Sequence, residues 1–158
     1  MKQEFESEKE IYRYVDECLQ YYPANITRIG VLQKDLQILR ARGDVQAQNY
    51  VKIYNNDSRT TPSDPVAEYV YQIQRIEAEI ERLKRITEPL TKMIQDLKTP
   101  YATDASLNSD FIKILGLHYF GRNPLTGILD ATGWSRAGFF RKKKQLSELA
   151  RSYLGIIS

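Results

Sequence analysis

Apolar residues recur at Tyr69, Ile73, Ile76, Ile80 and Leu83, at spacings of 4, 3, 4 and 3. That period of 3.5 lines all five along one stripe of an α-helix, whereas the period of 2 in a strand would scatter them over both faces. The stripe resumes at Leu90, Ile94 and Leu97. Its missing member is Thr87, and Glu88-Pro89 stands beside it. The Pro predicts a kink or break near Thr87, which could cap a second segment. Upstream, Asp64-Pro65 predicts an N-cap followed by Pro at the first helical position.

The same periodicity runs through the residues before it. Ile11, Tyr14, Val15, Cys18 and Leu19 share one face of a helix over 8–20. Tyr21-Tyr22-Pro23 predicts an interruption, because the residue before Pro disfavours helix. A second helix is expected over 23–42, with Ile26, Ile29, Leu32, Leu36 and Leu39 on its seam and Gly43 as its C-cap. Residues 43–63 are polar. Tyr50, Val51, Ile53 and Tyr54 could form a short helix, and NNDSRTTPSD (55–64) reads as a mobile loop. Residues 23–98 therefore read as a helical hairpin with a long polar connection. Its seams are expected to be buried against each other or against a second copy, as a homodimer or higher oligomer. Tyr50, Tyr54, Tyr69 and Tyr71 are placed to line such an interface.

Thr, Pro and Asp cluster in KTPYATD (98–104), and the charge balance changes across it. The expected organisation is a helical hairpin for oligomerisation or partner binding at 1–98, a linker at 99–105, and a further domain at 106–158. In the last part, Leu107, Phe111, Ile114, Leu115 and His118 share a helical face over 106–120. Gly121 is expected to close that helix in the left-handed conformation. Asn123 and Pro124 would then restart the chain as cap and first helical residue. The next helix is short, with Leu125, Ile128 and Leu129 on its apolar side, and ends at Gly133.

Charge marks out the same C-terminal part. Residues 1–100 hold 15 Lys/Arg and 16 Asp/Glu, whereas residues 101–158 hold 8 and 4. A net −1 thus faces a net +4, which points to a polyanionic partner for the C-terminal part. The lone Cys18 cannot form an internal disulfide and fits a reducing cytoplasm. No apolar run reaches the roughly 18–20 residues of a membrane span, and the acidic start lacks a signal peptide's pattern. One His and one Cys cannot supply a metal-ligand set, and the scattered Gly form no phosphate-cradling loop. No acid/base or nucleophile set is evident, so neither an enzyme nor a cofactor is expected. His118 reads as a structural or phosphate-facing residue, and Cys18 as a small core residue.

After the short helix comes WSRAGFFRKKKQLSELA (134–150). Gly133-Trp134-Ser135 reads as a tight turn. Ser135 would cap a helix by accepting from the N–H of Ala137 or Gly138. Phe139, Leu146, Leu149 and Ala150 would anchor that helix. A short helix, a Gly-containing turn and a basic helix is the pattern of a helix-turn-helix, whose second helix enters a major groove of double-stranded DNA. Ser135, Arg136, Ala137, Phe140 and Arg141 are placed for base edges, and Lys142, Lys143 and Lys144 for phosphate. The expected fold class is all-α: an N-terminal helical hairpin, coiled-coil-like, plus a C-terminal helix-turn-helix.

HYFGRNPLTGILDATGWSRAGFFRKKKQL (118–146) resembles the promoter-reading C-terminal domain of bacterial sigma factors. Ile128, Gly133, Ser135, Phe139 and Arg141 stand at its Ile, Gly, Ser, Val and Arg positions. Leu129, Thr132 and Gly138 replace its usual Ala, Leu and Thr. The whole layout is similar to late-gene regulators of the RinA/ArpU type from phages and prophages of Gram-positive bacteria. That resemblance implies sequence-specific DNA binding, transcriptional control in the bacterial host cytoplasm and contact with RNA polymerase. A small-terminase-like DNA-packaging protein and a helical protein-interaction module are the alternatives.

Overall fold

The apolar stripes do form helices, but fewer and longer ones than the prolines predict. The computed structural model describes residues 4–56, 65–99 and 105–156, which hold five α-helices and no strand. Helix α1 spans Glu8–Asn56 and α2 spans Pro65–Leu97. Helices α3 (Ala105–Ile114), α4 (Leu125–Thr132) and α5 (Arg136–Tyr153) follow, with a π-helical turn at Leu115–Phe120 between α3 and α4.

Pro23 lies inside α1, so the expected interruption at Tyr21–Pro23 does not occur. Pro89 lies inside α2, which likewise runs unbroken past Thr87. An interior Pro costs about 3 kcal/mol. Around Pro23, however, α1 buries Val15, Cys18 and Leu19 on one side and Ile29, Leu32 and Leu36 on the other. Each is worth about 1.5–3 kcal/mol, so one continuous helix wins. Thr87 is no cap. It is 2% exposed, and its carbonyl accepts from the Thr91 hydroxyl at 2.9 Å.

Gly43 is no C-cap either, because α1 continues to Asn56 and takes in Tyr50–Tyr54. The expected 43–63 connection is accordingly shorter. Most of the expected loop, 57–64, lies outside the described residues, as do the side chains of Tyr50 and Tyr54. A Cβ at Gly43 would fall inside the ring of Tyr69, whose hydroxyl reaches the Arg40 carbonyl at 3.4 Å. Gly43 thus leaves the space on α1 that the Tyr69 ring of α2 occupies.

Two compact units result, and they are not the expected 1–98 and 106–158. One comprises Asn25–Arg85, the other Met1–Ala24 together with Ile86–Ser158. In the first, Ile29, Leu32 and Leu36 of α1 meet Ile80 and Leu83 of α2, flanked by Ile73 and Ile76. The two seams are therefore buried against each other within one chain, while Ile26 stays 43% exposed. Exposed Arg40 and Glu77 pair across the hairpin, a contact worth little at a surface.

In the second unit, Ile11, Val15, Cys18 and Leu19 of α1 and Leu90, Met93 and Leu97 of α2 join Phe111, Ile114, Ile128, Phe139, Leu146 and Ala150 in one core. The division by composition failed because the apolar faces at the start of α1 and the end of α2 cover α3–α5. Of the expected linker, Thr99 still closes α2, its hydroxyl bonding the Gln95 carbonyl; residues 100–104 lie outside the described residues.

The turn before α4 also differs from expectation. Gly121 is right-handed at φ −82°, and the left-handed residue is Arg122 at φ 50°. Gly121 is needed for space instead. A Cβ there would lie 2.7 Å from the Gly116 carbonyl oxygen, the acceptor of its own N–H. Asn123 does not cap α4. Its side-chain amide donates back to the Leu117 carbonyl at 3.0 Å, and Pro124 takes the N-cap position.

Candidate nucleic-acid interface

Helix α4 ends where Gly133, at φ 73°, turns left-handed and donates its N–H to the Leu129 carbonyl. Thr132, at the position where the sigma-like motif has Leu, donates its hydroxyl to the Ile128 carbonyl at 2.8 Å. Ser135 then caps α5, its hydroxyl accepting from the Gly138 N–H at 3.0 Å. This satisfies one of the orphan donors of a helix start. Gly138 leaves room for that cap, since a Cβ there would press on the Ser135 oxygen at 3.0 Å. Phe139 and Leu146 are buried, as their anchoring role requires.

Arg136, Ala137, Phe140, Arg141 and Lys144 are all exposed. Their spacing of i, i+1, i+4, i+5 and i+8 gathers them on one side of α5. Phe140 is 46% exposed, sits edge-on to Phe139 and lies under the Arg136 guanidinium. One Phe of the pair is therefore core and the other surface.

Lys142 and Lys143 behave differently from the rest of the basic run. Lys142 Nζ pairs with Asp110 of α3 at 3.1 Å, with both side chains under 20% exposed, and lies 4.2 Å from the centre of the Trp134 ring. Lys143 Nζ lies 3.6 Å from Asp16 of α1. Tyr119 donates to the same Asp16 oxygen at 2.7 Å. Burial, and then Asp16, push the Tyr119 hydroxyl pKa well above its ordinary value, so it remains a donor. Two of the four consecutive cations thus fix α5 to α1 and α3, and the other two, Arg141 and Lys144, face outward.

These partners escaped the sequence reading. Asp16 and Lys143 are far apart in the chain, and nothing local marks either as paired. Tyr119 was hidden by the π-helical turn, whose extra residue rotates it onto the core face, leaving His118 half-buried. His118 meets the ring edges of Tyr119 and Phe139. Burial and then the Lys143 charge lower its pKa, against a smaller pull from Asp16.

Beside the exposed face of α5 runs a groove of about 510 Å³ whose other wall is the start of α1. Lys9, Tyr12 and Arg13 line it with Phe140, Lys143 and Lys144. Nothing local marks Lys9 or Arg13 as part of a basic surface, because both lie in an acidic stretch. Among the described residues no three of His, Cys, Asp and Glu gather into a group able to hold a metal ion, and no helix is long and apolar enough to cross a membrane. No protein-family model, curated protein or solved structure matches this chain.

Proposed function

We propose that the chain is a sequence-specific, double-stranded-DNA-binding transcriptional regulator of phage or prophage late genes, acting in the host cytoplasm with RNA polymerase as a partner. One observation carries the DNA-binding part. The first turns of α5 set Arg136, Ala137, Phe140, Arg141 and Lys144 on a single exposed side, behind a Ser135 cap and a three-residue turn from α4. A helix of this kind fits a major groove about 12 Å wide. Arg136 and Arg141 suit bidentate recognition of guanine, Ala137 and Phe140 suit thymine methyl groups, and Lys144 suits phosphate. The late-gene and polymerase parts rest on the resemblance to the RinA/ArpU type.

Self-association belongs to the same reading, because helix-turn-helix proteins commonly read paired half-sites as dimers. Val31 and Ile38, one heptad apart on α1, are 47% and 51% exposed and could contribute to a contact between copies.

The test is selection of bound duplexes from a random pool, followed by affinity measurements over a salt series. A defined consensus and a steep salt dependence are expected. Changing Arg136, Arg141 and Lys144 together to Ala removes about 1–3 kcal/mol per base contact, so affinity for the selected site should fall at least about 100-fold. Unchanged affinity in that variant overturns the proposal.

A further inference from the structure

The groove between the start of α1 and α5 is walled by four cations, Lys9, Arg13, Lys143 and Lys144, against one carboxylate, Asp16. Asp16 is already engaged by Lys143 and Tyr119. That leaves Lys9, Arg13 and Lys144 to set the charge of the groove. Arg13 contacts Glu17 at 3.4 Å, but the pair is 82% and 52% exposed, so it costs little to give up. Lys9 and Arg13 are four residues apart and lie on one face of α1, about 6 Å apart along the helix. Tyr12 and Phe140 supply aromatic wall between the cations. Such a low-dielectric surface strengthens their attraction for an anion. Phe140 and Lys144 also belong to the exposed face of α5, so the groove and that face form one continuous surface.

We infer that the DNA-binding surface is composite: the first turns of α1 supply Lys9 and Arg13 as phosphate contacts for the DNA strand bordering the groove entered by α5. The inference rests on the DNA-binding reading above and adds a positioning element from the opposite end of the chain. Phosphate contacts fix register and orientation without reading bases, and each contributes about 0.9 to the slope of log affinity against log salt.

The experiment compares the full chain with a Lys9→Gln, Arg13→Gln variant on the selected duplex. The slope is expected to become shallower by about 1.8, with the selected consensus unchanged. An Arg13→Lys variant, which keeps the charge, should retain the original slope. Equal thermal unfolding of the variants, whose changes are at exposed positions, confirms that folding is intact. An unchanged slope in the double variant, with the parent chain still selecting a consensus, overturns this inference and leaves the DNA-binding reading standing. A changed consensus in the double variant overturns it too, because α1 would then be reading bases. If the double variant binds DNA as the parent does but loses affinity for an acidic, aromatic peptide, the groove is a protein site and the inference fails. A parent chain that binds no duplex overturns the reading beneath it as well.

Discussion

His118 shows how a single side chain ties pH to folding. Burial and then the nearby Lys143 charge hold its imidazole below the ordinary value of 6.5, outweighing Asp16. The unfolded chain therefore takes up a proton near pH 6.5 that the folded chain accepts only at lower pH. Stability from this group is fully present above that pH and is lost as pH falls through the folded-state value. Carboxylates held low act in another window. Glu8, bonded to Arg151, and Glu79, bonded to Arg82, lose their contributions only below their ordinary 4.5. The melting temperature should accordingly be flat from about pH 7 to 8 and decline as the pH falls below about 6.5. A His118→Phe variant keeps an aromatic ring against Tyr119 and Phe139, and it should lack that decline. Parallel pH profiles for the variant and the parent would rule His118 out as the source.

At the scale of elements, the lesson lies at Gly43 and the prolines. Periodicity located the heart of the hairpin seams, where Ile29, Leu32, Leu36, Ile80 and Leu83 are buried as the 3/4 spacing requires, although Ile26 stays exposed. The breaks were misplaced because Pro23, Gly43 and Pro89 are judged locally by their backbone cost, while the burial that offsets it comes from residues distant in sequence. Gly43 offers a sharp measurement. In a helix interior, Gly→Ala should stabilise by about 1 kcal/mol. Here the added Cβ displaces the Tyr69 ring, whose burial and bond to the Arg40 carbonyl are then lost. The net expectation for Gly43→Ala is a loss of about 1–2 kcal/mol in urea unfolding. In a Tyr69→Ala background the same change should become stabilising, which a double-mutant cycle would report as a strong coupling. A gain in stability for Gly43→Ala alone would show that the ring moves aside freely.

Over the whole molecule, the all-α class and the α4–turn–α5 sequence with its Ser135 cap were legible, because caps, left-handed Gly and periodicity act over a few residues. The partition into units was not. Composition marks 98–104 as a linker, yet the unit containing α3–α5 is completed by Ile11, Val15, Cys18 and Leu19 from α1 and Leu90, Met93 and Leu97 from α2. Polar ties follow the same route: Arg151 holds Glu8 at 2.7 Å, Tyr153 bonds Asp96, and Tyr22 bonds Thr91 at 2.7 Å. A fragment of residues 106–158 would forfeit those seven buried side chains. At about 1.5–3 kcal/mol each, the loss is roughly 10–20 kcal/mol. That matches or exceeds the whole stability of a typical domain, about 5–15 kcal/mol. The fragment should therefore show no cooperative melting by circular dichroism. A chain joining residues 1–24 to 86–158 through a short Gly/Ser connector keeps the entire core and should melt in one cooperative step. Cooperative melting of 106–158 alone, near the melting temperature of the full chain, would mean that the C-terminal helices hold together without the ends of the hairpin, and the partition read from composition would stand.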